Sequence, residues 1–303
     1  MNKFELVLPA TSANLGPAFD TAALALNLSL RIRAVRAKEF VIKATGRDQQ
    51  VCGQVENHLI LTTYREILQA EVKPIIPLSL EIKNQFPIGK GCGSSAAARL
   101  AGIALAVHFG KLRWKSEHII SEAARRERHS DNAAACWMGG VTVSQMDNGE
   151  ALVARFVPKK RWPLLLAIPD ESLSTEKARE VLPRHYSRHD VITNIQHSML
   201  LLAALFQGDR KLLASALSDR IHQPYRAALC PLLPALQDFP KEKGVLGAVL
   251  SGAGPSVLMF LDADTPTEKT ASRVANHLKQ NGMNAELVLT SIARKGGEAS
   301  FQK

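Results

Sequence analysis

In residues 87–102, PIGKGCGSSAAARLAG, four glycines surround Ser94 and Ser95 and the chain runs directly into an alanine-rich segment. Without a Cβ, such a loop lets a phosphate approach the backbone closely, and a helix starting behind it offers unpaired N–H groups and the positive end of its dipole. The chemistry this points to is the binding of a nucleotide phosphate. A P-loop would need Gly-Lys-Ser/Thr, but Lys90 is followed by Gly91, so that pattern is absent. Gly91, Gly93 and Ala96 do fit G-x-G-x-x-G/A, with Glu117 about twenty residues further on. The preceding chain, however, does not read as the parallel βαβ unit that dinucleotide binding requires. A tight turn where a helix packs on a sheet needs the same small residues, so the loop alone leaves both readings open.

The elements that must position this loop follow from periodicity. LSLEIKNQFP alternates Leu78, Leu80 and Ile82 with polar neighbours and ends at a proline, which predicts a strand. Beyond Ser95 only Gly102 interrupts good helix formers before Gly110, predicting a helix. Earlier, the chain reads as a strand from Phe4, a polar loop over 11–20, an extended segment through Leu30, a strand at EFVIKATG and a helix over 57–68. Later come a helix over 116–126 and a strand at GGVTVSQ. The connector VPKKRWP is cationic and proline-flanked, and it divides the chain into domains 1–157 and 158–303. The second half reads as a buried strand LLLAIPD, a helix over 175–182, the apolar helix VITNIQHSMLLLAALFQGD and proline-punctuated helices to Phe239. A strand pair around GAVLSGAGPSVLMFL, a helix EKTASRVANHLKQNG and a final strand NAELVLTSI complete it. Strands and helices segregate without strict alternation, which predicts a two-lobed α+β fold.

The composition, 46% hydrophobic and 5% aromatic over 303 residues, is that of ordered globular protein. No apolar tract predicts a membrane span or a leader, so a cytoplasmic protein without a membrane partner is expected. Cys52, Cys92, Cys136 and Cys230 lack CxxC spacing, which points away from zinc and disulfide frameworks. The net charge of +10 raises nucleic acid as a partner. Its clusters, RRERH and KKRW, lack the interleaved aromatics of a base-stacking surface, and attraction of anionic substrates accounts for the charge. No nucleic-acid partner is therefore expected.

Three segments stand out together: PATSANLGPAFD, PIGKGCGSSAAA and LSGAGPSVLMF. Their types and positions resemble the three motifs of the GHMP kinases, over nearly the entire chain. Within that superfamily SANLGPAFD and RHSDNAAACWMGG are similar to the homoserine kinase family, with Ala18 in place of a glycine and Ser130 in place of a proline. The resemblance implies an N-terminal lobe like domain 2 of ribosomal protein S5 and a ferredoxin-like C-terminal lobe. It implies ATP-dependent phosphorylation of the L-homoserine hydroxyl, with Mg²⁺ as cofactor; a homodimer is left open. An enzyme for another small alcohol, or a non-enzymatic RNA-binding member of the fold, is the alternative.

Carried over by residue, the resemblance makes Pro87, Ile88, Gly89, Lys90, Gly91, Cys92, Gly93, Ser94, Ser95 and Ala96 the ATP-binding loop, with the phosphates cradled by Gly91, Gly93, Ser94, Ser95 and Ala96 and Asn57 facing the adenine. Ser95 and an acidic residue would hold Mg²⁺; Glu127, four residues before Asp131, is preferred, with Glu122, nine before it, as the alternative. A zwitterionic substrate needs cations for its carboxylate and oxygens for its ammonium. Thr175 and Arg179, spaced i,i+4 on a predicted helix, and Arg226 have the chemistry for the first. Asn14, Asp20, His129 and Asn132 would hold the ammonium and hydroxyl ends. The residues assigned to catalysis are Asn14, Asp20, Lys90 and Asn132, acting by positioning and charge neutralisation with no obligatory protein base.

Overall fold

The computed structural model describes residues 3–239 and 244–301. The first lobe is built from β1 (Phe4–Asn14), β2 (Ala18–Arg36), β3 (Val41–Gly46), α1 (Gln49–Cys52), α2 (Leu59–Ala70), β4 (Leu78–Asn84), α3 (Ser94–Gly110), α4 (Ser116–Glu127), α5 (Asp131–Met138), β5 (Val141–Asp147) and β6 (Glu150–Phe156). β2 is the spine of its sheet. One edge pairs with β1 along most of its length, while the other is shared by β4 over Leu30 to Arg36 and β5 over Ala22 to Leu24. Only the β3–β4 pair is parallel. This mixed topology is not the βαβ frame of a dinucleotide site. In β4 the alternation reads out as expected, with Leu78, Leu80 and Ile82 buried and Ser79, Glu81 and Lys83 turned outward. In α2 the buried residues Ile60, Leu61, Tyr64, Ile67 and Leu68 recur at helical spacing and pack on α3.

The second lobe contains β7 (Pro163–Ile168), α6 (Thr175–Glu180), α7 (Arg188–Gln207), α8 (Arg210–Ala216), α9 (Gln223–Arg226), α10 (Leu232–Gln237), β8 (Val245–Leu250), β9 (Val257–Leu261), α11 (Thr267–Gln280), β10 (Glu286–Ser291) and α12 (Glu298–Phe301). Its sheet has the antiparallel order β10-β7-β9-β8. With α11 crossing from β9 to β10, this is the ferredoxin-like arrangement. β7 is central and buried along its whole length. Ser174, Ser187 and Asp209 cap α6, α7 and α8 by accepting hydrogen bonds from Lys177, Asp190 and Leu212 N–H. No helix among the described residues is long and apolar enough to cross a membrane.

Two local expectations are corrected. Residues 11–20 are not a polar loop: β1 continues to Asn14 and β2 begins at Ala18, leaving a tight turn of Leu15, Gly16 and Pro17. Thr11 and Ser12 are polar yet fully buried, with α5 packed on β1 and the chain at Cys92 accepting from Thr11 N–H. α5 and β6 form in stretches to which the sequence reading assigns no element. Gly102 is more than a tolerated weak helix former, since a Cβ there would press on the Ile60 carbonyl and Thr63 of α2. We place the division between lobes at Val157, with α12 returning to pack on β1 and α5.

Candidate active site

The glycine loop joins β4 to α3. Gly89, Gly91 and Gly93 all have left-handed φ, of 70°, 78° and 68°. At Gly91 a side chain would also collide with the carbonyls of Ser251 and Gly254, which belong to the turn between β8 and β9. That turn, in SGAGP, is stitched to the loop by a hydrogen bond from Ser251 Oγ to Gly91 O (2.7 Å) and to β1 by one from Gly252 N–H to Ala13 O (3.1 Å). Thr11 N–H donates to Cys92 O (3.1 Å). All three motif segments therefore meet at one point. No side chain caps the start of α3, so its first N–H groups remain available to an anion.

On one side of the loop is a polar cavity of about 120 Å³, lined by Asn14, Asp20, His129, Asp131, Asn132, Thr175, Arg179 and Arg226 together with Gly89, Gly91, Gly93, Ser94, Ser95, Glu127 and residues 252–254. The positions come from six separated parts of the chain. Asn14, at φ 72°, accepts from Asp20 N–H (2.9 Å) and donates to Gly252 O (2.7 Å), tying the turn after β1 to the other lobe. Asp20 forms a two-pronged ion pair with Arg179, at 2.9 and 2.7 Å. Burial works against the charged form of Arg179, but the Asp20 bond and charge outweigh it and raise its pKa. Arg226 is only 1% exposed. Its Nε donates to Ala178 O (2.8 Å), and among the described residues no carboxylate lies within ion-pair distance of it. Burial, with the Arg179 charge nearby, pulls its pKa down to about 10.

His129 Nδ1 donates to Asp131 Oδ1 (2.6 Å), which also accepts from Asn132 N–H (2.6 Å); Thr11 Oγ1 donates to Asn132 Oδ1 (2.5 Å). Burial presses His129 toward its neutral form, but the Asp131 hydrogen bond and the charges of Asp131, Asp20 and Glu127 prevail and raise its pKa. A raised histidine pKa adds stability that is complete below the unfolded value of about 6.5 and fades as pH rises through the folded value. The melting temperature of the wild type is therefore expected to fall more between pH 6 and pH 8 than that of His129→Gln, measured by calorimetry in matched buffers.

Ser95 Oγ donates to Glu127 Oε1 (2.6 Å), and Arg99 Nε reaches the same oxygen (2.5 Å). Glu122, by contrast, is bound by Arg125 (2.7 Å) and Arg126 (2.8 Å) and lines neither cavity. Among the described residues no three His, Cys, Asp or Glu side chains are grouped to hold a metal ion. The Ser95 and Glu127 oxygens still suit Mg²⁺, which commonly takes one or two protein ligands and completes its shell with phosphates and water.

On the other side of the loop lies a more apolar cavity of about 370 Å³, walled by Leu30, Val51, Ile60, Ile82, Phe86 and Ile88, with Gln54, Glu56, Asn57 and His58 also lining it. Gly89, Ser94 and Ser95 line both cavities. An apolar slot with a few polar groups, opening across a phosphate-binding loop onto a polar pocket, has the form of a nucleotide site joined to a small-molecule site.

The structure does not bring every expected residue to these cavities. Lys90 Nζ donates to Pro169 O (2.8 Å) and lines neither, because the loop's turn sends this side chain toward the second lobe. Pro87, Cys92 and Ala96 also line neither cavity. Cys92 is buried, and burial pushes its thiol up to about 12. Conversely, Phe19, Leu173, residues 252–254 and Asp131 line the polar cavity without having been assigned to it. For residues 252–254 the signal was present, since SGAGP is one of the three motif segments. Phe19 also lies within a motif segment, PATSANLGPAFD, but only the fold brings Arg179 and Arg226 to within 5.5 and 5.2 Å of its ring.

Comparison with known proteins agrees with this geometry. The family model described as GHMP kinases N terminal domain matches residues 58–140, and that described as GHMP kinases C terminal matches residues 201–284. The homoserine kinase of Solibacter usitatus is 40% identical over 296 residues, covering 97% of this chain and 96% of that protein. That of Deinococcus radiodurans is 34% identical, covering 94% and 93%. Among solved structures, homoserine kinase from Cytophaga hutchinsonii superposes with a TM-score of 0.82 at 20% identity, covering 98% and 96% of the two chains. The mevalonate kinase of L. major, in complex with R-mevalonate, shares the fold with a TM-score of 0.69 at 13% identity over 96% of each chain. With full-length relatives above 30% identity and three motifs joined at one site, this chain belongs to the homoserine kinase family of the GHMP kinases.

Proposed function

We propose that this enzyme transfers the γ-phosphoryl group of ATP to the side-chain hydroxyl of L-homoserine. A buried guanidinium without a carboxylate partner carries this reading: Arg226 faces a polar cavity beside the Arg179–Asp20 pair. Burying an uncompensated cation costs stability in the free protein, and a ligand carboxylate offsets that cost when it binds. Asp20, already poised against Arg179, offers its carboxylate to the substrate ammonium. A zwitterionic amino acid thereby extends the charge alternation the cavity already holds. Asn132, held by Thr11, orients the hydroxyl toward the loop.

ATP lies with its base in the apolar slot and its phosphates across Gly89, Gly91, Gly93 and the start of α3, where N–H groups stabilise the charge that develops on transfer. Mg²⁺, held by Ser95 and Glu127, would supply further neutralisation of the phosphate oxygens. All three cavity carboxylates are engaged, Asp20 by Arg179, Asp131 by His129 and Asn132 N–H, and Glu127 by Ser95 and Arg99, which supports transfer without an obligatory protein base. An assay of ATP consumption with homoserine, threonine, serine, mevalonate and shikimate tests the reading, with homoserine expected to show the highest kcat/KM. A higher value for any of the others would overturn the substrate assignment.

The metal assignment has its own test. Glu127→Gln and Ser95→Ala are each expected to lower kcat by more than about tenfold, or about 1.4 kcal/mol of barrier. Both should also raise the Mg²⁺ concentration needed for half-maximal activity. Glu122→Gln should keep wild-type kcat, since its carboxylate serves ion pairs that contribute at most about 1 kcal/mol of stability. The reverse pattern would move the metal to Glu122.

A further inference from the structure

His222 is fully buried behind the polar cavity and does not line it. One ring nitrogen, Nε2, lies 2.8 Å from Gly16 O; the other, Nδ1, lies 3.1 Å from Arg226 Nη1. A carbonyl only accepts hydrogen bonds and a guanidinium N–H only donates. The two contacts together therefore define the tautomer: Nε2 carries the proton and Nδ1 the lone pair. A protonated ring would set N–H against N–H and cation against cation. Burial holds the ring neutral, pushing its pKa down to about 4.

The surroundings are built to keep that ring in place. Phe19 stacks on it at 5.1 Å and 24°, and both cavity arginines lie over the same Phe19 ring. Asp219, at 3.6 Å from Nε2, accepts from the backbone N–H groups of His222 (3.0 Å) and Gln223 (2.6 Å) at the start of the turn that carries Arg226. Arg226 is then gripped at Nε by Ala178 O and at Nη1 by His222. Among the described residues no hydrogen-bond partner meets Nη2, the guanidinium nitrogen left to a ligand.

We propose that His222 is a positioning residue for substrate recognition: its unprotonated Nδ1 orients the Arg226 guanidinium toward the substrate carboxylate without neutralising it. This rests on the reading of Arg226 as the carboxylate-binding group. A neutral acceptor meets both demands. A carboxylate at this position would pair with Arg226 and remove its draw on an anionic ligand, while an apolar residue would leave the buried N–H without an acceptor and the fork free to turn.

The test compares His222→Leu, which removes the acceptor, with His222→Gln, whose side-chain amide carries an acceptor and a donor on one planar group as the neutral ring does. For His222→Leu the expected result is a KM for homoserine raised by roughly tenfold or more, with kcat and KM for ATP changed by less than about threefold. His222→Gln should recover most of that loss, and kcat/KM for 3-amino-1-propanol, which lacks the carboxylate, should be the same in all three proteins. Equal losses in the Leu and Gln variants, or an equal loss with 3-amino-1-propanol, would show a structural role and overturn the proposal. Should His222→Leu not fold, ¹⁵N chemical shifts of the wild-type imidazole decide: a pyridine-like Nδ1 supports the proposal and a protonated Nδ1 refutes it. The underlying reading is checked separately with Arg226→Ala. If that variant loses homoserine affinity and His222→Leu does not, the inference about His222 alone fails; if Arg226→Ala binds homoserine normally, the carboxylate reading itself fails.

Discussion

Arg226→Ala is expected to raise KM for homoserine by roughly thirtyfold or more, with KM for ATP little changed, because truncating one partner of a desolvated charge pair costs about 2–5 kcal/mol. The position makes this a clean experiment. Arg226 has no protein carboxylate to leave stranded, so removing it exposes only the acceptors of Ala178 and His222. Arg179→Ala is a less direct probe, since it leaves the Asp20 carboxylate unpaired at the cavity and mixes two effects. With 3-amino-1-propanol the wild type should lose a comparable amount, and Arg226→Ala should lose little more, because the interaction is already gone. Steady-state kinetics with both substrates on both proteins makes the comparison. Normal homoserine affinity in Arg226→Ala, or a wild type that prefers the carboxylate-free alcohol, would refute the assignment.

Gly93→Val is expected to abolish nucleotide binding, with ATP affinity lost beyond the range of titration calorimetry. At φ 68° a valine is strained, and its Cβ would collide with Thr11 Oγ1 and crowd Asn132 Oδ1. The loop would have to shift at the point where α3 starts, breaking both the phosphate cradle and the Thr11–Asn132 contact. Backbone strain alone is separated by Gly149→Ala, where φ is 83° and a Cβ meets nothing within 4 Å. That variant should cost about 1–2 kcal/mol of stability and leave ATP affinity unchanged. A folded Gly93→Val protein, by circular dichroism, that still binds ATP would remove the glycine loop from the nucleotide site.

Both expectations rest on positions whose importance was legible at different levels. The glycine loop could be read directly, because a strand, a glycine cluster and a helix start are consecutive in sequence, and their chemistry is local. The α+β class was legible for the same reason, through periodicities over short windows, whereas the ferredoxin-like second lobe was expected only from the family resemblance of the motif segments. Thr175 and Arg179 could be placed on one helical face by spacing alone, and both line the cavity.

What only the tertiary structure decided is the pairing of charges. Asp20 and Arg179 are 159 residues apart, and no local pattern states that they meet as an ion pair while Arg226 is left without a carboxylate. The same holds for Lys90, whose long side chain had the right charge and loop position but was drawn to the Pro169 carbonyl, 79 residues away. Buried polar residues misled in the other direction: Thr11 and Ser12 read as loop because they are polar, and are strand because they pair with Ala25 and Leu24 of β2 beneath α5. His222 is the extreme case, a histidine with no motif around it whose two nitrogens acquire meaning only from Gly16 and Arg226. Residue types and spacing determined which groups this protein has available and the local elements that carry them. Which group neutralises which was settled by long-range packing, because a hydrogen bond or ion pair depends on a few ångströms of three-dimensional separation that the order of residues does not encode.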